Sequence, residues 1–97
     1  MDLEITVTHI EGHCPVYMRN DSFMLKDGYR LVSEKPLCMN SLAAILPFYN
    51  ALRFASPGEL GLSEMHNPEI ACVRCPDAEP CTGGGAVTFE IRKVRKI

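Results

Sequence analysis

The sequence predicts an α+β domain: a small, mostly antiparallel sheet with one main, proline-interrupted helix packed on one face, in the order β, β-hairpin, α, β, β. Three observations predict it. Apolar and polar residues alternate with period two at both ends of the chain. Asp27-Gly28 stands between two apolar runs. Between residues 37 and 55, apolar residues recur at spacings of three and four.

In the first strand, Leu3, Ile5 and Val7 alternate with Glu4, Thr6 and Thr8, which predicts a strand over 3–10 with His9 in phase with the apolar set. Gly12 and Pro15 then end it, because glycine takes unusual dihedrals and proline holds its predecessor extended. Residues 22–26 and 29–32 flank Asp27-Gly28. Both of those residues tolerate positive φ, so the segment reads as a tight hairpin. In the helix, Leu42, Ile45, Leu46, Tyr49, Leu52 and Phe48 make one wide apolar face. Pro47 interrupts it. An interior proline removes a hydrogen bond and clashes with the carbonyl four residues back, which predicts a kink near 43–47 or two short helices. Ser56-Pro57-Gly58 stops the helix, and 59–69 reads as loop. Residues 70–73 form a short buried-strand candidate. Residues 75–85 are turn chemistry ending in a triple glycine that reads as mobile, and Val87, Phe89 and Ile91 predict a last strand over 86–94.

Length and balance bound the function. Ninety-seven residues allow one domain, 1–97, with a single modest core. Net charge is −2, which argues against a non-specific nucleic-acid binder. Apolar stretches fall far short of the ~18 residues that a membrane helix needs. The opening Met-Asp-Leu-Glu has neither a basic nor an apolar leader pattern, so the expected compartment is the cytoplasm.

The unusual number is five cysteines: Cys14, Cys38, Cys72, Cys75 and Cys81. An odd count excludes complete internal pairing. In a reducing compartment, cysteines serve metal binding, redox chemistry or plain packing.

Gly12-His13-Cys14-Pro15, Leu37-Cys38 opening a helix, Ala51-Leu52-Arg53-Phe54 and Cys75-Pro76-Asp77 before a terminal strand occur in that order. In these motifs the chain resembles a family of small uncharacterised proteins of anaerobic bacteria and archaea, over nearly its whole length. The resemblance transfers no activity. It implies that Cys14, Cys38 and Cys75 are the family-type cysteines and that Cys72 and Cys81 are additional.

The residues themselves suggest a thiolate-rich site. Cys14, Cys38 and Cys75 each fall at the end of a predicted element, where a loop can aim them, with His13 alongside. Cys38 is expected at a helix N-terminus, where unpaired amides and the macrodipole favour a thiolate. Three thiolates and an imidazole suit zinc, or iron as another soft-ligand metal. Against this stands the reading of each cysteine as a small buried residue beside a loop. Cys72-Val73-Arg74-Cys75 has the CxxC spacing of a dithiol. A strand, however, turns residues three apart to opposite faces, so Cys72 is expected not to join the others. His9 reads as a sheet-face histidine and His66 as solvated. Asp77 and Glu79 read as turn formers. The segment Arg92-Lys93-Val94-Arg95-Lys96 is a local basic cluster. No Walker loop, catalytic triad or carboxylate pair is present in the sequence.

The expectation is a non-catalytic module that binds metal (zinc or iron on Cys14, Cys38, Cys75 and His13) or a protein partner. The alternatives are a thiol-based redox enzyme or accessory protein and a purely structural homo-oligomeric subunit.

Overall fold

The computed structural model describes residues 1–95. Five strands and two helices follow the chain: β1 (Asp2–Gly12), β2 (Ser22–Lys26), β3 (Arg30–Val32), α1 (Met39–Leu52), β4 (Ile70–Arg74), α2 (Glu79–Thr82) and β5 (Gly85–Val94). A 3-10 turn, Pro57–Leu60, lies between α1 and β4. The strands form one sheet in the order β3-β2-β1-β5-β4, and every neighbouring pair is antiparallel. The architecture is α+β, with α1 as the one helix of any length. The two alternating segments at the ends of the sequence lie side by side at the sheet's centre, with Ile5 opposite Ile91 and Val7 opposite Phe89.

One face of the sheet carries the core. Leu3, Ile5, Val7, Phe23, Leu25, Val73, Val87, Phe89 and Ile91 are buried there and pack with Ile45 and Leu52 of α1. The ring edges of Phe89 meet Tyr17 and Phe23 at centroid distances of 5.4 and 6.4 Å. Such T-shaped contacts align the positive edge of one ring with the negative face of the other.

His9 does not share the apolar face. The β1–β5 register shifts between Val7 and His9, so Thr8 is an extra residue. A bulge of this kind reverses the alternation beyond it. His9 therefore lies opposite Thr88 and is exposed, while Ile10 lies opposite Val87 and packs against the core.

The hairpin forms as the Asp-Gly signal implies. Asp27 and Gly28 take φ of 60° and 82°, and Lys26 accepts a 3.2 Å hydrogen bond from the Tyr29 amide. Pairing resumes at Lys26 opposite Arg30, so Tyr29 belongs to the loop.

Of the two outcomes expected at Pro47, the pair of short helices is not found: Pro47 sits inside one helix. Pro47 and Ala43 both face solvent, so water can take the bond that proline cannot donate. The buried face is also narrower than the apolar spacing suggests. Ile45 and Leu52 are fully covered, and Leu42 and Tyr49 pack partly, but Leu46 is 42% exposed and Phe48 37% exposed. Ser41 takes a core position instead. The sheet covers only one side of a 14-residue helix, and Leu46 and Phe48, about 160° apart around the axis, fall on different flanks at the margins of that cover.

The glycine-rich turn carries hydrogen bonds of its own. α2 forms within it, and the Thr82 hydroxyl donates to Asp77 and accepts from the Gly84 amide. Gly85 is buried at the start of β5, where a Cβ would lie 2.5 Å from the His13 carbonyl carbon. Only glycine allows that close approach.

The two sheet edges are treated differently. The outer edge of β4 is covered by the segment 62–64: Cys72 donates to the Leu62 carbonyl and Glu64 to the Ile70 carbonyl, both at 2.8 Å. Among the described residues, nothing pairs with the outer edge of β3.

Candidate functional site

Cys14 and Cys75 collect at one end of the sheet, and the topology explains why. β1 ends where antiparallel β5 begins, and β5 begins where antiparallel β4 ends. Cys14 follows β1, Cys75 follows β4, and Gly85 opens β5 between them. The Cys75 amide donates to the Val87 carbonyl at 2.9 Å. Its thiol lies 3.7 Å from the Gly85 carbonyl, and its sulfur accepts from the Val87 amide at 3.2 Å. The absent Cβ of Gly85 would touch the Cys14 amide nitrogen. The Cys14 sulfur accepts from the Tyr17 amide at 3.3 Å. Cys14, Cys38 and Cys75 all pack half-buried against the core.

Tyr17 joins this end of the sheet to α1. Its hydroxyl accepts from the Cys38 amide at 3.0 Å and lies 2.6 Å from the Ser41 hydroxyl. The Ser41 hydroxyl donates to the Cys38 carbonyl at 2.8 Å, so the Tyr17 hydroxyl supplies the proton between the two oxygens. The circuit from Cys38 N–H through Tyr17 and Ser41 to the Cys38 carbonyl satisfies each buried polar group. Cys38 is the N-cap of α1, as expected from sequence, but its own side chain makes no capping bond. The tyrosine hydroxyl binds its amide instead. Tyr17 and Ser41 lie outside every motif singled out in the sequence, and no spacing signals them.

The thiols do not assemble into the expected metal centre. Among the described residues, no three His, Cys, Asp or Glu side chains are grouped to hold a metal ion. Cys14 meets Tyr17 at its main-chain amide, and Cys38 meets it at the far end of the ring. A whole tyrosine therefore separates the two contacts. His13 is exposed, and its amide donates to Gly84 at 3.2 Å as part of the turn.

Cys72 stands apart, as strand geometry predicts. It lies opposite Glu90 on the face away from the core, whereas Cys75 lies on the core side. The CxxC spacing thus brings no dithiol together. Burial pushes the Cys72 thiol up, and the nearby Glu90 and Glu64 carboxylates add to the rise. Cys81 is exposed on α2. His9 lies 3.5 Å from Glu11 on the open face, and His66 is exposed. Lys96 of the basic cluster lies outside the described residues.

A second feature is apolar and lies at the opposite edge of the sheet. Tyr29, Leu31 and Leu46 line a shallow groove between the hairpin and α1, together with Leu25, Tyr49 and the charged Arg30. Tyr29 is 82% exposed and Leu31 42%. The Tyr49 hydroxyl donates to the Gly28 carbonyl at 3.2 Å, tying the helix to the hairpin turn.

No family model, curated protein or solved structure matches this chain. Its fold and surfaces define a small α+β protein with an open sheet edge and half-buried thiols that, among the described residues, form no group of three. Among the described residues, no helix is long and apolar enough to cross a membrane.

Proposed function

We propose that this chain is a non-catalytic interaction module, with the outer edge of β3 and the adjoining flank of α1 as its contact surface. The contrast between the two sheet edges carries the reading. The β4 edge is covered by the chain's own segment 62–64, while the β3 edge is bare and its Leu31 and Val32 are exposed. An unpaired strand edge is a template for another strand, and stable folds otherwise cover, shorten or charge it. β3 is three residues long and carries one charge, Arg30, which is held in an ion pair with Asp27. Here Tyr29, Leu31 and Leu46 add apolar area beside it.

The partner that fits is a second copy. An antiparallel edge is self-complementary about a two-fold axis, so two β3 strands can pair and continue the sheet across the axis. The groove residues of both copies then lose their contact with water. Placement in the cytoplasm belongs to the same reading. The resemblance to small bacterial and archaeal proteins assigns no activity, so it adds nothing to this choice.

Sedimentation equilibrium across a wide concentration range tests the proposal. A dimer is expected whose dissociation constant rises at least about tenfold in Leu31→Glu and in Leu46→Glu, because each places an unpaired charge in the contact. A protein that stays monomeric at every concentration, or a dimer indifferent to both substitutions, would overturn it.

A thiol-based role is the second reading, supported by the approach of Cys14 and Cys75 to Gly85. Treatment with diamide, which takes up the two protons and two electrons of a dithiol, is its test. A Cys14–Cys75 disulfide in the mass map would support that role. Both thiols remaining free would remove it.

A further inference from the structure

The structure assigns an anion-binding groove to the end of the sheet where β5 finishes and β4 begins, and we propose that it takes a small organic anion with a flat apolar body. The groove has a volume of about 610 Å³, and its wall includes Arg92, Lys93 and Arg95 together with Pro57 and Ile70. This inference rests on neither the β3 edge nor the thiols.

Charge is the first part of the argument. The chain as a whole carries −2, yet this groove gathers three cations against one lining carboxylate, Glu69. Arg92 is half exposed and lies 3.3 Å from Glu90. Among the described residues, neither Lys93 nor Arg95 forms an ion pair. Strand alternation would ordinarily send Arg92 to one face and Lys93 and Arg95 to the other. At the end of β5 all three nevertheless border this groove, although Arg95 also borders a second one lined by Asp2, Glu4 and Asp27. Cations converging in a concave site focus the field and favour an anion over water there.

Shape is the second part. The exposed apolar part of the wall is Met1 and Pro68, backed by the buried Pro57 and Ile70. A bare inorganic ion would leave that apolar wall wet. A ligand with an anionic head and an aromatic or alicyclic body would satisfy the cations and cover the wall together. Phosphate monoesters and carboxylates share the required chemistry, and the experiment separates them.

Phenyl phosphate, benzoate, inorganic phosphate and benzyl alcohol are titrated into the intact protein while its amide resonances are followed by NMR. Saturable shifts at Glu69, Ile70 and Lys93 are expected with phenyl phosphate or benzoate, and the tighter of the two identifies the head group. Inorganic phosphate should bind several-fold more weakly than phenyl phosphate. Benzyl alcohol, which has the ring without the charge, should not saturate. The Lys93→Gln/Arg95→Gln double variant should weaken binding by about tenfold or more, as expected for lost charge-assisted bonds. Its undisturbed resonances elsewhere report that it folds. No saturable shift with either organic anion, equal binding of benzyl alcohol, or binding unchanged in the double variant would each overturn the proposal.

Discussion

Tyr17 is one buried side chain on which two parts of the chain depend. Its hydroxyl answers the Cys38 amide at the start of α1 and the Ser41 hydroxyl within it, while its ring packs on Phe89. Tyr17→Phe keeps the ring and removes only the oxygen, leaving a helix-start amide and a fully buried serine short of a partner. The expected loss is about 1–3 kcal/mol, the cost of an orphaned buried polar group, read from urea unfolding. A second residue-scale prediction concerns Cys72. Its thiol is raised by burial, then by Glu90 and Glu64, so the folded state holds its proton more tightly than the unfolded state. The stabilisation linked to this proton is complete below the ordinary thiol range and is lost as pH rises through the raised folded value. In alkylation at mildly alkaline pH, Cys72 is therefore expected to react more slowly than exposed Cys81. Glu90→Gln should speed it, because one of the two carboxylates that oppose the thiolate is gone. The rates are measured by peptide mass mapping.

At the scale of the element, α1 offers a paired comparison. Ile45 and Leu46 are neighbours of equal size on one helix, yet Ile45 is fully buried and Leu46 is 42% exposed. Ile45→Ala is expected to cost about 2–5 kcal/mol, since it opens a cavity between helix and sheet. Leu46→Ala should cost under about 1 kcal/mol, because its side chain already meets water. Unfolding of the two variants side by side checks which face of α1 is inside. Comparable losses would mean that the helix is rotated relative to the arrangement described. The same exposure makes Leu46 available to a partner.

For the molecule as a whole, the placement of the thiols bears on metal. Three ligands held near one point are the minimum for a tight soft-metal site. Among the described residues, no such group is present. Protein purified without chelator is expected to carry well under one equivalent of zinc or iron by elemental analysis, and Cys14→Ser is expected to leave that content unchanged. A stoichiometric metal lost in Cys14→Ser would show that Cys14, Cys38 and Cys75 close together on binding, a coupling that small metal sites can have.

Much of this protein is legible in its sequence because the relevant forces act between neighbours along the chain. Alternation in β1 and β5, the Asp27-Gly28 turn and the apolar spacing of α1 each reflect backbone geometry over a few residues. Strand geometry alone also separates Cys72 from Cys75. Other features depend on residues far apart in the sequence. The bulge at Thr8 turns His9 outward because β1 must keep register with β5, about eighty residues later. The exposure of Leu46 depends on how far the sheet extends beneath the helix, and spacing within the helix carries no record of that. Cys14 and Cys75 share one end of the sheet through antiparallel topology, and Cys38 is linked to it by Tyr17, a residue in an aperiodic stretch that packs on Phe89 and bonds to α1. The sequence by itself determined the five strands and α1, but not α2 or the 3-10 turn. Only the tertiary structure decided which edge stays open, which face is buried and which side chains meet, because those outcomes depend on contacts between segments whose local sequences do not refer to one another.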